Sequence, residues 1–372
     1  MQPTMPPSPD AADLGVRRRR GRAAGAVVAA ALLLAGACAS GETSAAPGDA
    51  SGARDASNTT APTTNTAPPG EGPAVASAGC DAGEHPAVEA EKRTMEVAGE
   101  ERYFLLTVPE DTASVPAPLV FDFHGLMEGA EVASMASLLP ELGQREGFIT
   151  IVPNGRGNPV RWDVGLDPAD NPDMAFVEAM LDTVSAEQCV DTSRVYATGL
   201  SNGAAMTSAV ACAFPNRFAA VAPVAGLLSQ CDSTDRPIPV LGFHGTADPI
   251  LFFNGGTGDL GGLLTGGTNA AVAPEADLEG KGYPAYVAAW AKRNGCQDSF
   301  TDERIADDVI QRTYDCPAGA DVVFDIVVGG GHSWPGSEFN MKLENIMGPT
   351  TPNLDASAAM WEFFGRFQLP AG

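Results

Sequence analysis

Short apolar runs alternate with longer amphipathic stretches through most of the chain after Cys80. The short runs lack an in-out alternation of apolar and polar residues, which indicates strands that are buried on both faces. Such strands separated by helices predict an α/β fold with a mostly parallel central sheet covered by helices on both faces. The predicted strands are residues 118–123, 148–152, 194–198, 219–224, 239–243 and 322–328, after a hairpin of 94–97 and 101–108; the predicted helices are 174–187, 202–213, 284–294 and 354–367.

Residues 1–37 have the pattern of an export signal. Five arginines precede an uncharged stretch, 23–37, which at fifteen residues is too short to span a bilayer stably, so a retained anchor is the minor alternative. The small residues before Cys38 resemble a lipoprotein cleavage box, but Ala37 also fits an ordinary signal-peptidase site. We therefore expect a protein that is secreted or anchored at the outer face of the cell membrane through a lipid on Cys38.

Residues 38–79 differ from the rest of the chain in composition. They consist almost entirely of Ser, Thr, Ala, Pro, Gly, Asp and Glu and contain no aromatic residue. Such a segment cannot bury enough apolar surface to offset the entropy lost on ordering. We expect a disordered tether there and a single catalytic domain over residues 80–372.

The six cysteines after Cys38 predict disulfides, because an even number of cysteines in an exported chain is usually oxidised. Six cysteines allow fifteen pairings. The pairs close in sequence are Cys212–Cys231 and Cys296–Cys316, which leaves Cys80–Cys189; buried free thiols are the alternative. With no C-x-x-C and four histidines in the chain, we expect no metal.

The formal net charge of −25 makes nucleic acid an unfavourable partner. We expect a monomer. Its expected partner is an ester substrate, in some cases polymeric, and the lipid anchor is its only expected contact with a membrane.

Gly199-Leu200-Ser201-Asn202-Gly203 matches the nucleophile-elbow pattern, in which a serine lies on a tight turn between a strand and a helix. The apolar run before it and the apolar helical pattern after it provide that context; a glycine-lined loop is the alternative. Serine needs a histidine base, which in turn needs a carboxylate, and in this fold the chain order is Ser, acid, His. His332 follows a predicted strand in a glycine-rich turn and is the expected base, whereas His244 precedes nearly every candidate acid, which favours a supporting role.

Asp248 is the expected acid because it lies in the loop that leaves the strand 239–243. Its competitors Asp307, Asp308 and Asp325 lie in or near predicted strands, and Asp232 and Asp235 lie beside an expected disulfide in a surface loop. The oxyanion requires two N–H donors. One is the backbone amide of Asn202, and the second is that of Leu126 or a neighbour, after the strand that ends in His124-Gly125; His124 itself is expected to be structural.

Three stretches together resemble the polyhydroxybutyrate depolymerase and feruloyl esterase group of secreted α/β-hydrolases. They are residues 190–203 (VDTSRVYATGLSNG), 243–249 (FHGTADP) and 330–336 (GGHSWPG). The resemblance covers roughly residues 94–367. It implies the α/β-hydrolase fold, the triad Ser201, Asp248 and His332, and ester hydrolysis through an acyl-enzyme without cofactor. After His124-Gly125, Leu126-Met127-Glu128 departs from the small or Cys-containing turn of the family.

The expected activity is therefore hydrolysis of a short-chain polyester or of feruloyl or acetyl esters on plant polysaccharide. Trp162 and Trp334 are candidate stacking surfaces for an aromatic acyl group or a sugar, with plain packing as the alternative for each. The Gly-rich stretch 254–273 is interpreted as a lid or as a disordered insert. An acyltransferase on the same fold and a non-catalytic surface lipoprotein are the rival functions.

Overall fold

The computed structural model describes residues 72–81, 83, 85–110, 115–231, 234–258 and 275–370. The predicted leader, Cys38, the tether up to residue 71 and residues 259–273 of the Gly-rich stretch lie outside the described residues. The strands are β1 Val88–Val97, β2 Glu100–Val108, β3 Ala117–Phe123, β4 Ile149–Pro153, β5 Val190–Leu200, β6 Ala220–Val224, β7 Val240–Gly245, β8 Phe300–Ala306, β9 Val309–Tyr314 and β10 Val322–Val327. The helices are α1 Ala130–Ser137, α2 Leu139–Glu146, α3 Pro172–Glu187, α4 Asn202–Ala213, α5 Tyr283–Arg293, α6 Glu338–Met341, α7 Glu344–Met347 and α8 Ala356–Phe364.

All ten strands belong to one sheet, in the order β1-β2-β4-β3-β5-β6-β7-β10-β9-β8. The six central strands, β4 to β10 in that order, pair in parallel, and an antiparallel pair completes each edge. The strand order reverses between β3 and β5, so the loops that follow these two strands diverge and leave a crevice at the carboxyl edge of the sheet. The predicted α/β-hydrolase fold is confirmed.

Two hydrophobic clusters cover the opposite faces of the sheet. Leu119 and Phe121 of β3 pack in one cluster with α3, α4 and α5, while their neighbour Val120 packs in the other with α2 and α8. Successive strand residues point to opposite faces, so a strand covered on both sides must be apolar throughout. This explains the continuous apolar runs of the central strands.

The elements that the sequence did not predict have weak patterns. Helices α1 and α2 have eight residues each, and α2 contains Pro140 and four charged or amide side chains. Strand β8 exposes most of its residues at the edge of the sheet and contains Asp302, Glu303 and Arg304. A polar edge strand does not show the apolar run by which a central strand is recognised.

The structure contains the three disulfides expected from the cysteine spacing, Cys80–Cys189, Cys212–Cys231 and Cys296–Cys316. Residues 72–79, which the composition assigned to the tether, contact the folded domain instead. The Ser77 N–H donates to Val190 O (2.9 Å), and the Val75 N–H donates to the Asp191 carboxylate (2.9 Å). Backbone pairing with β5 orders this segment without large apolar side chains, so the folded region begins before Cys80. In the part of the chain that the structure describes, no helix has the length and apolarity to cross a membrane.

The buried carboxyl group of Asp325 provides a test of how burial in the central sheet affects stability. It lies in the middle of β10, where burial raises its pKa to about 7 although the Gln311 amide donates to it (3.0 Å). In the unfolded chain an Asp titrates near pH ~3.9. Between about pH 4 and pH 7 the folded state therefore keeps a proton that the unfolded state releases, and the free energy of unfolding falls as the pH rises through that window.

We expect Asp325→Asn, which cannot ionise, to escape this loss. Its free energy of unfolding should exceed that of the parent by an increasing margin from pH 4 to pH 8, on the order of 1–3 kcal/mol at the upper end. Urea unfolding at several pH values measures the margin, with Asp298→Asn at an exposed position as the control for loss of one charge. A margin that stays constant with pH would contradict a protonated Asp325.

Candidate active site

Ser201 lies in a sharp turn between β5 and α4. Its backbone has φ 60° and ψ −116°, a conformation that costs energy for a residue with a side chain. The Ser201 N–H donates to Val224 O (2.9 Å), which fixes the turn to the neighbouring strand. A Cβ at either Gly199 or Gly203 would collide with the carbonyl oxygen of Phe123, so the close approach of the turn to β3 requires glycine at both positions.

His332 and Asp248 form a buried pair at the same edge of the sheet. His332 Nδ1 lies 2.7 Å from Asp248 Oδ2, and the backbone N–H groups of Ile250 and Leu251 both donate to Asp248 Oδ1 at 2.8 Å. Burial alone would raise the pKa of Asp248, but His332 and His244 outweigh it and hold this pKa well below its ordinary value. The carboxylate is therefore ionised, as an acid that orients a histidine must be.

Ser201 and His332 line one small cavity of about 140 Å³. The other walls are mainly apolar and come from the turn after β3, the loop after β7, and α7: Leu126, Ile250, Leu343, Ile346 and Met347. Ser201 also lines a larger cavity of about 810 Å³. A substrate bound at Ser201 would thus have two cavities beside the serine.

The turn after β3 lies over the same small cavity. Within the described part of the chain, the backbone N–H groups of Leu126 and Asn202 have no acceptor, whereas the Gly125 N–H donates to Glu128 Oε2 (2.6 Å). Asn202 is the first residue of the twelve-residue helix α4, whose N-terminal amides favour a negative charge. Two amides that line the cavities and are free of internal acceptors can stabilise an oxyanion. Leu126 and Asn202 as the donors remain a prediction.

Glu128 was not identified from the sequence as part of this site. Burial raises its pKa, while the Gly125 amide and then the charge of His332 act in the opposite direction. The sequence did show that Leu126-Met127-Glu128 departs from the turn typical of the family. Only the structure shows that Glu128 accepts the Gly125 N–H.

His124 and Trp162 brace the loops around Ser201. His124 is fully buried, and burial lowers its pKa to about 4, so the ring is neutral. Its Nε2 accepts the Gly155 N–H (2.8 Å) and its Nδ1 donates to Gly125 O (2.6 Å), as expected for a structural histidine. Trp162 Nε1 donates to His124 O (2.9 Å), which joins the loop after β4 to the end of β3.

The two candidate tryptophans have different surroundings. Trp162 is 3% exposed and packs in the cluster with α3, α4 and α5, but it lines the larger cavity. Trp334 packs in the hydrophobic cluster with α8, its Nε1 donates to Ser357 Oγ (3.0 Å), and it lines neither cavity beside Ser201. The structure does not support a stacking role for Trp334, because the ring faces the core and not the crevice.

Tyr283 and Tyr286 line the larger cavity and were not singled out from the sequence. They lie on successive turns of α5, and the cue was their three-residue spacing in a chain with five tyrosines. The alternative acid Asp325 is paired with Gln311 inside the sheet, and Asp308 accepts a hydrogen bond from Asn353 at the surface.

A serine on a strand-turn-helix elbow, followed along the chain by a carboxylate and a histidine at the ends of later strands, defines an α/β-hydrolase. Residues 102–255 match the family described as Esterase PHB depolymerase. Feruloyl esterase B of Piromyces equi is 27% identical over 268 residues, which cover 70% of this chain and 44% of that protein. Feruloyl esterase C of Emericella nidulans is 32% identical over 164 residues, which cover 42% of this chain and 58% of that protein.

The chain is therefore similar to polyhydroxybutyrate depolymerases and feruloyl esterases. It spans about half the length of these curated relatives, 44% and 58%. Among solved structures, an acetyl xylan esterase from Aspergillus awamori matches with a TM-score of 0.47 and 16% identity over 68% of this chain and 98% of that chain.

The Asn202 side chain offers a test of how the elbow is braced. Its Oδ1 accepts the Trp162 N–H (2.7 Å) and its Nδ2 donates to Trp162 O (3.2 Å). Asn202→Ala leaves both backbone groups without their partner and should lower the free energy of unfolding by about 1–3 kcal/mol. Urea unfolding measures this change. The control Asn216→Ala removes an exposed side-chain hydrogen bond and should stay within about 0.5 kcal/mol of the parent; equal effects at both positions would contradict the bracing role.

Proposed function

We propose that this chain is an exported serine esterase that hydrolyses carboxylic esters through an acyl-enzyme. The observation that carries the proposal is the buried pair of Asp248 and His332 at the cavity that Ser201 also lines. The match of residues 102–255 to the family described as Esterase PHB depolymerase supports the same activity. Neither the acyltransferase nor the binding-protein alternative has a specific observation in its favour.

In the proposed reaction Ser201 Oγ attacks the ester carbonyl while His332 Nε2 accepts the hydroxyl proton. Asp248 holds His332 Nδ1–H and stabilises the imidazolium that forms. The N–H groups of Asn202 and Leu126 stabilise the oxyanion. His332 then donates its proton to the leaving alkoxide, which departs as the alcohol, and a water activated by the same histidine releases the acid from Ser201.

The substrate classes we propose are feruloyl or acetyl esters of plant polysaccharide and short-chain polyesters. Trp162, Tyr283 and Tyr286 give the larger cavity aromatic walls, which favours an aromatic acyl group or a sugar ring there. The relatives named as feruloyl esterases point the same way. The small cavity of about 140 Å³, which Ser201 and His332 line, has room for a small group only.

Export is proposed on two grounds. The three disulfides fit an oxidising compartment, and residues 1–37 have the pattern of a secretory signal. The mature protein is either cleaved before Cys38 and lipidated there, or released as a free protein. Mass spectrometry of the mature amino terminus distinguishes these two forms.

The first test of the function compares the parent with Ser201→Ala. The parent should hydrolyse at least one of p-nitrophenyl acetate, p-nitrophenyl butyrate, methyl ferulate, acetylated xylan and hydroxybutyrate oligomers. Ser201→Ala should reduce kcat by at least about 10³-fold while retaining the fold, because the hydroxyl serves the chemistry. Retention of activity within tenfold of the parent would exclude Ser201 as the nucleophile; no covalent labelling of the parent by an organophosphonate would exclude a serine hydrolase.

A second test separates the triad acid from a structural carboxylate. Asp248→Asn keeps the shape and the acceptor for the backbone amides but pairs His332 with an uncharged amide, so kcat should fall about 10⁴-fold near neutral pH. The matched control is Asp325→Asn, which removes another buried carboxyl group from the neighbouring strand and should leave kcat within a few-fold. The reverse pattern, a large loss at Asp325 and a small one at Asp248, would overturn the assignment of the acid.

A further inference from the structure

His244 is a second histidine beside Asp248, and the triad mechanism gives it no role. It lies near the end of β7 and is 2% exposed. Its Nε2 is 3.2 Å from Asp248 Oδ2, the same oxygen that meets His332, and 2.9 Å from the carbonyl oxygen of Leu251. Asp248 therefore lies between two imidazole rings.

The partners of His244 identify the proton it carries. The Leu251 carbonyl and the ionised Asp248 carboxylate can only accept, so Nε2 bears the hydrogen. Nδ1 is buried and has no partner in the described part of the chain, which leaves it with its lone pair. His244 thus provides one N–H that is directed at both the acid and the loop that follows it.

A stacked tyrosine holds the His244 ring in this orientation. The rings of His244 and Tyr283 are 3.6 Å apart between centroids and inclined by 23°. The Tyr283 N–H donates to Phe253 O (3.0 Å), so α5 is also fixed to the loop after Asp248. Because Tyr283 lines the larger cavity, one face of this tyrosine supports His244 and another part of it meets the space where substrate is proposed to bind.

The same loop supplies walls of both cavities. Ile250 lines the small cavity and Leu251 lines the larger one, and both give their N–H groups to Asp248 Oδ1. These two bonds fix one carboxylate oxygen. Rotation of the carboxylate about its own axis is restricted further by the two histidines on Oδ2.

We infer that His244 is a positioning residue whose Nε2–H fixes Asp248 Oδ2 against His332 and holds the 250–251 segment in place. The inference rests on the proposed function. Loss of this donor lets the carboxylate turn and the segment shift, and a displacement of about 1 Å in a triad costs up to about 10²-fold in rate. It also removes a hydrogen bond that shares the charge of Oδ2, so more of that charge acts on His332.

The test compares three variants. His244→Leu removes the donor, and His244→Asn carries a donor on a side chain that is too short. The terminal amide of His244→Gln can reach the same acceptors. For the first two we expect kcat to fall about 10- to 100-fold with KM changed less than about threefold. The acidic limb of the pH profile of kcat/KM should move to higher pH, because the undivided charge of Asp248 Oδ2 then faces His332. The titratable groups around the Asp248–His332 pair are His244 on β7, Tyr283 on α5 and Glu128 after β3. His244→Gln should regain most of the rate.

The matched control is His85→Leu, which removes another buried histidine with an unpartnered ring nitrogen, before β1 at the far edge of the sheet. It should change neither kcat nor the pH profile. Rate and profile equal to the parent in folded His244→Leu and His244→Asn would overturn the inference, and so would a loss in His244→Gln as large as that in His244→Leu.

A readout that needs no turnover separates this inference from the proposed function. A histidine Nδ1–H bonded to a carboxylate gives a far-downfield proton resonance in NMR spectra, here assigned through His332→Gln. We expect the signal in the parent and in His244→Gln, and its loss or displacement in His244→Leu. An unchanged signal in His244→Leu would refute the positioning role even if no ester is hydrolysed; a displaced signal in a protein that hydrolyses no ester would refute the function alone.

Discussion

The tight turn at Ser201 is the constraint on which the rest of the site depends. A serine held at positive φ between a buried strand and a helix is strained, and the surrounding backbone must hold it there. The turn approaches β3 so closely that neither Gly199 nor Gly203 can bear a side chain, and Val224 O holds the Ser201 amide. Leu126 in the turn after β3 and Asn202, the first residue of α4, line the same larger cavity.

The parallel arrangement of the central strands brings the other groups to the same edge. Asp248 follows β7 and His332 follows β10, and these neighbouring strands pair in parallel register, so their carboxyl ends meet. Burial of the Asp248 carboxylate would be costly without partners, and four hydrogen-bonding groups surround it: two backbone amides and two imidazoles. The carboxylate is thus both ionised and rigid, which is the combination that the proposed general-base role of His332 requires.

Three histidines at this edge differ because of their partners. His124 has only backbone partners, and burial leaves it neutral, as a brace between two loops. His332 meets a carboxylate and faces a cavity, which is the placement that its proposed role as the base requires. His244 shares that carboxylate but is covered by Tyr283, so its proton is held in place.

The sequence alone determined the class of fold and the cysteine pairs, and it predicted the candidate triad in its chain order. Apolar runs identify strands buried on both faces, and the glycine spacing around Ser201 identifies the elbow, because both patterns reflect short-range steric and burial requirements. These same rules failed for the short helices α1 and α2 and for the polar edge strand β8, where packing against the rest of the domain supplies the order. The first residues of the folded region were missed for a similar reason, since only backbone pairing with β5 orders them.

Only the tertiary structure decided which side chains face the crevice. Trp162 and Trp334 both pack in hydrophobic clusters, yet Trp162 also lines the larger cavity and Trp334 lines neither cavity beside Ser201. Glu128, Tyr283 and Tyr286 come from segments distant along the chain, and the stack of Tyr283 on His244 joins residues that are 39 positions apart. Such contacts depend on how strands and helices pack across the sheet, and a local pattern of residues contains no information about the partner that packing will bring.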